Sequence, residues 1–95
     1  MQLKTIKQAK EVLQLLSTKP SVAILGYLKK HNDKCVTDIM TKLKMQQSVT
    51  SNFLGKLRNL EIVTFRRDGK FIYYSLNEDR LNEILYNCSQ IIKKS

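Results

Sequence analysis

The chain has 95 residues, 42% of them hydrophobic, and a formal net charge of +9 at pH 7, so it offers one domain over residues 1–95 and a modest core. Residues 1–45 carry +6, residues 46–76 carry +3 and residues 77–95 are neutral, which suits a polyanionic partner everywhere but in the last segment. The sequence shows neither a long apolar run nor a signal peptide, which predicts a cytoplasmic protein with no membrane partner, and two Cys in such a chain read as thiols, not as a disulfide.

Taken in order, Leu3, Ile6, Ala9, Leu13 and Leu16 predict a first helix ending near Ser17-Thr18. Pro20 starts a second, with Val22, Ile24, Leu25 and Leu28 as its apolar positions and a stop around His31-Asn32-Asp33. A short third helix turns Val36, Ile39, Met40 and Leu43 inward. A fourth helix and a hairpin follow. Leu81, Ile84, Leu85, Cys88, Ile91 and Ile92 then give a last helix with a continuous i, i+3, i+4, i+7 stripe. The expected class is mainly α: four helices, two strands and a closing helix.

The fourth helix and the hairpin carry the functional reading. Val49, Phe53, Leu54, Leu57 and Leu60 fall on one side of the helix, while Gln47, Ser48, Ser51, Asn52, Gly55, Arg58 and Asn59 fall on the other. Short amides and hydroxyls both donate to and accept from base edges, and Arg58 reaches a phosphate. The plainer alternative is a polar surface helix without a partner. Asp68-Gly69 is a two-residue turn signal pairing Arg67 with Lys70, Phe65 with Ile72 and Val63 with Tyr74. Val63, Phe65, Ile72 and Tyr74 then share a face expected to pack on the helices. Arg66, Arg67 and Lys70 cluster at the tip, read as a wing for phosphate or the minor groove. The layout is that of a winged helix-turn-helix.

The run from Lys34 to Leu76 resembles the ArsR/SmtB family of bacterial metal- and stress-responsive repressors. The motifs are Cys-Val-x-Asp at Cys35 to Asp38, Ser-x-x-Ser-Asn-x-Leu at Ser48 to Leu54, Leu57-Arg58-Asn59-Leu60, and Arg66-Arg67-Asp68-Gly69-Lys70 leading to Tyr73-Tyr74. The resemblance implies a dimer built from the first and last helices, and operator contacts at Gln47, Ser48, Ser51 and Asn52. Independently, the apolar stripe of the last helix has two uses, packing on its own domain or, the favoured reading, a homodimer interface through Leu81, Ile84, Leu85, Cys88 and Ile91, suited to a palindromic double-stranded DNA operator.

The chain departs from the family's pattern in places. Ser21 stands where many relatives have Arg, Lys44 where the helix-turn-helix turn usually has Gly, and Gln46 where a Ser cap is usual. A left-handed backbone at Lys44 would cost about 1 kcal/mol. At the sites where relatives bind metal, Thr37 replaces a second Cys beside Cys35 and Asp38, and Glu78, Arg80, Ile91 and Lys94 occupy the positions on the last helix. With one His in the chain, no metal and no cofactor are expected. Cys35 and Cys88 remain as candidates for thiol sensing. Without a phosphate loop or a nucleophile–base pattern, catalysis is not expected. The reading is a sequence-specific repressor; the alternatives are a winged-helix module for protein contacts and a thiol-redox regulator.

Overall fold

The computed structural model describes residues 3–94; Met1, Gln2 and Ser95 of the expected domain span lie outside the described residues. The first helix, α1 (Ile6–Ser17), begins with a reciprocal cap in which Thr5 Oγ1 accepts from Gln8 N–H at 3.1 Å and Gln8 Oε1 accepts from Thr5 N–H at 3.2 Å. Thr18 alone separates it from α2 (Lys19–Lys30), accepting from Ser21 N–H at 3.4 Å, with Pro20 in the first turn where a missing N–H does no harm. Helix α2 buries Ser21, Ile24 and Leu28. Val22, expected inward, is 57% exposed. It lies two positions before Ile24, and a helix turning about 100° per residue puts it on the other side.

After α2, Asn32 Oδ1 accepts from Leu76 N–H at 3.0 Å and Asp33 N–H donates to Ser75 Oγ at 3.1 Å. These bonds lay Lys34–Cys35 alongside the hairpin as a short strand, β1, paired with Tyr74 and Tyr73. The sequence reading has two strands; the structure has a three-stranded antiparallel sheet, because two residues are too few to show alternation. Helix α3 (Val36–Leu43) follows and closes at Lys44, φ 54 and ψ 46, with Met45 N–H reaching back to Met40 O at 2.9 Å. Helix α4 (Gln47–Asn59) closes in the same way, with Glu61 at φ 62 and Ile62 N–H on Leu57 O at 3.1 Å.

Strands β2 (Val63–Asp68) and β3 (Phe71–Leu76) form the wing, in sheet order β1-β3-β2. The register differs from the expected one: Asp68 pairs with Phe71, Arg67 with Ile72, Phe65 with Tyr74 and Val63 with Leu76. The turn is therefore Gly69-Lys70, with the left-handed backbone at Gly69, φ 62. A turn over Asp68-Gly69 would have placed Asp68 there too, whereas a Gly-first turn confines that conformation to glycine. An even slip preserves the faces. Only Val63 of the expected inward set is fully buried; Phe65 is 48% exposed because the hairpin reaches past the helices, and Arg58 lies over its ring instead.

The closing helix α5 (Glu78–Lys93) is capped by Asn77, whose Oδ1 accepts from Arg80 N–H at 3.1 Å. Two buried clusters result. Ala9, Val12, Leu60, Ile62, Ile84 and Cys88 join α1 to α5. Ile24, Leu28, Ile39, Leu54, Leu57 and Val63 join α2, α3, α4 and the sheet, and Leu15, Leu16, Leu25 and Leu76 touch both clusters.

Candidate nucleic-acid interface

Burial of Thr50, Leu54 and Leu57 fixes how α4 is rolled on the core. Gln47, Ser48, Ser51, Asn52 and Arg58 are consequently all exposed on one polar face. Thr50 escaped the sequence reading although it lies four residues before Leu54 and seven before Leu57. It is fully buried, and its hydroxyl donates to Gln46 O at 2.8 Å, which satisfies it inside the protein. Gln46 makes no side-chain cap, so the first-turn N–H groups of α4 have no partner from that side chain. Gly55 lies in the middle of the polar face, and a Cβ built there would meet nothing within 4 Å. Packing therefore does not require glycine at a mid-helix position where it costs about 1 kcal/mol relative to alanine.

The wing is less uniform than its sequence. Arg66 is engaged within the protein: Nε donates to Asp33 Oδ1 at 2.8 Å, Nη2 to Asp33 Oδ2 at 2.5 Å, and the guanidinium lies 4.6 Å from the centre of the Tyr73 ring. These hydrogen bonds hold the Asp33 carboxyl below its ordinary range and raise Arg66. Asp33 has φ 68, so the chain accepts backbone strain at the residue that grips the wing. Arg67 and Lys70 are exposed and form no ion pair among the described residues; Lys70 Nζ sits 5.8 Å from the Phe71 ring centre. Arg58, 5.0 Å from the Phe65 ring centre, bridges the end of α4 to the base of the wing. The Asp33 clamp was missed because its partner lies 33 residues away in the chain, beyond any local pattern.

A profile of the family described as "Bacterial regulatory protein, arsR family" matches residues 19–64, from the start of α2 into β2. The biofilm growth-associated repressor of Agrobacterium fabrum is 39% identical over 85 residues, covering 84% of this chain and 73% of that protein. The chain belongs to the ArsR family. A homolog of the cadmium resistance transcriptional regulatory protein CadC from Staphylococcus aureus is 29% identical over 75 residues; the match takes in 79% of this chain and 62% of that longer relative. The solution structure of the homodimeric winged helix-turn-helix DNA-binding domain of a possible ArsR-family regulator from Mycobacterium bovis superposes with a TM-score of 0.69, covering 94% of this chain and 81% of that one. At 24% identity that likeness shows the fold. The ArsR family is one of transcriptional regulators, not of enzymes.

In this ArsR chain the positions considered for sensing have structural partners. Asp38 Oδ2 accepts from Cys35 N–H at 3.3 Å and from Cys35 Sγ at 3.2 Å, which ties down the first turn of α3. Arg80 donates from Nε to Leu60 O at 3.0 Å and also pairs with Glu61 and Glu83, bracing α5 against the turn after α4. His31 is exposed with its ring beside Tyr27. Among the described residues no three His, Cys, Asp or Glu side chains gather as a metal would need. Cys35 and Cys88 are free thiols; Cys88 is fully buried in the α1–α5 cluster, and burial pushes its thiol pKa up.

The expected dimer set divides. Ile84 and Cys88 are 1% and 0% exposed within a single protomer, packed with Ala9 and Val12, so they have no surface left for a partner. Leu81 and Ile91 are half-buried, and Leu85 is 40% exposed. Ile92 on the same stripe and Ile6 on α1, which the expected set omits, are 38% and 37% exposed.

Proposed function

We propose that this protein is a DNA-binding transcriptional repressor of the ArsR type that reads a palindromic operator as a homodimer. The carrying observation is the face of α4: Gln47, Ser48, Ser51 and Asn52 are all exposed, on a chain with no Asp or Glu between Ile39 and Leu60 to repel phosphate. Base selection is assigned to Ser51 and Asn52, with Gln47 and Ser48 beside them, and sequence-independent affinity to Arg58, Arg67 and Lys70. The dimer is assigned to α1 and α5, where Ile6 and Leu85 are 37% and 40% exposed and Leu81 and Ile91 are half-buried. The homodimer reported for the Mycobacterium bovis relative supports this assembly. A two-fold dimer would present its α4 helices to half-sites about 34 Å apart.

The effector is proposed not to be zinc, because only Cys35 and Asp38 remain as donors on α3 and Arg80 is committed to Leu60 and two glutamates. Of the two thiols, Cys35 is the one an oxidant reaches, since Cys88 is enclosed. Selection of bound sequences from a randomised duplex pool tests the central reading. Enrichment of an inverted repeat is expected; a pool that stays random, with binding indifferent to salt, would leave a module for protein contacts in its place. Titrating the selected operator with zinc and with a thiol oxidant tests sensing. Loss of binding at stoichiometric zinc overturns the no-zinc proposal, and loss under oxidant that disappears in Cys35→Ser establishes a thiol switch.

A further inference from the structure

The turn between α3 and α4 holds a residue that its backbone disfavours. Lys44 has φ 54 and ψ 46, a conformation glycine adopts freely and other residues adopt only with strain. Its side chain is not needed for the helix end. The closing hydrogen bonds come from the backbone N–H groups of Lys44 and Met45, and glycine would make them as well. The Lys44 side chain is exposed and has no ion pair among the described residues.

Lys19 is in the same position on the facing helix. It too is exposed and without an ion pair among the described residues. With Pro20 and Ala23 it forms one wall of a groove whose other wall is Leu43, Met45, Gln46 and Val49. Lys19 therefore stands across from the first turn of α4, and Lys44 immediately precedes that groove's Met45. No Asp or Glu occurs in residues 12–32 or 39–60, so neither ammonium has a carboxylate on its own segment. Arg66 presents the opposite case, a cation of the expected interface already held by Asp33.

We infer that Lys44 and Lys19 bind DNA phosphate and pin the N-terminal end of α4, the end that carries Gln47, Ser48, Ser51 and Asn52. This footprint is separate from the wing, and it rests on the DNA-binding reading above. Each such contact releases condensed counterions from the duplex, so its loss appears in the salt dependence of binding for every sequence alike.

The test uses the full chain, fluorescence anisotropy and graded KCl, with a random-sequence duplex of about 30 base pairs and the selected operator as probes. Lys44→Gly is expected to melt a few degrees higher, as the strain is relieved. It should nonetheless bind both probes roughly tenfold more weakly, with a salt slope smaller by about 0.9 for each contact removed. Lys19→Ala should lower the slope in the same way, while Lys44→Arg and Lys93→Ala should keep it. If the wild type binds with a salt dependence that Lys44→Gly and Lys19→Ala both leave unchanged, the phosphate assignment is overturned and the DNA-binding reading stands. If the wild type itself binds neither duplex in a salt-dependent way, both are overturned.

Discussion

The two ends of the protomer leave different chemistry uncovered. At the α1–α5 end, Ile6, Leu85 and Ile92 remain more than a third exposed although Ile84 and Cys88 beside them are enclosed. At the other end, α4 and the wing expose amides, hydroxyls and cations with few carboxylates opposite. One end thus presents apolar surface and the other polar and cationic surface, which is what the proposed dimer and the proposed DNA complex would each use. The contrast teaches that a residue's chemistry counts toward a partner only after the protomer's own demands are subtracted. Ile84 and Cys88 are spent on the core, and Arg66 is spent on Asp33.

The largest test of that contrast is at α5. Ile84→Glu should place a charge inside the α1–α5 cluster and cost about 3 kcal/mol or more, so a thermal melt should show an unfolded or barely folded chain. Leu85→Glu, one residue on, should keep the fold, and where wild type is expected to sediment as a dimer this variant should sediment as a monomer. If Ile84→Glu gives a well-folded monomer, the division between core and interface is drawn in the wrong place. At the reading end, Asn52→Ala should lose about 1–3 kcal/mol on the selected operator and change the ranking of operator variants. Arg67→Ala should weaken all sequences equally; an unchanged ranking in Asn52→Ala removes that side chain from base readout.

A smaller effect is expected at Gly55. Alanine there should stabilise the helix by about 1 kcal/mol in a denaturant titration. The same variant should bind the operator less tightly, because in the proposed complex the added methyl would face the groove floor. Improved stability with unchanged affinity would show that nothing comes close to Gly55. The smallest effect belongs to Asp33→Asn, which should free Arg66, raise affinity for all sequences and steepen the salt slope. Because Arg66 lowers the Asp33 pKa, the clamp is fully formed above the unfolded carboxylate value, near pH 4, and is lost as pH falls through the lowered folded value. The slopes of wild type and Asp33→Asn should therefore differ at pH 7 and converge in acid.

Much of this was legible in the sequence because it is local. The apolar positions of α3 and α5, the polar face of α4 and the existence of the wing all follow from spacing within a dozen residues, whereas the stripe read on α1 omitted the buried Val12 and included Ile6, which is 37% exposed. What was not legible depends on contacts across the chain or on backbone geometry. Strand β1 exists because Asn32 and Asp33 bond to Leu76 and Ser75 over forty residues away. The hairpin register turned on which residue takes the left-handed position, Gly69 alone or Asp68 with it. The stripe on α5 was visible, but periodicity does not say which part of a wide apolar face meets α1 and which part is left over.

Thr18 carries a mechanical consequence. It is the one residue between α1 and α2, its N–H and hydroxyl both donate to Leu15 O, and its own oxygens accept from Ser21 and Val22 N–H. An elbow so fully bonded should have little torsional slack, so α1 and α2, and with them the two ends of the protomer, are expected to move together. In the proposed dimer, two such protomers joined at α1 and α5 would hold their α4 helices at a set separation and phase. One extra base pair at an operator's centre shifts the half-sites by about 3.4 Å and rotates them by about 34°. For the proposed dimer that rotation would have to be absorbed by twisting the duplex, so spacer length should be as sharp a requirement as the bases themselves.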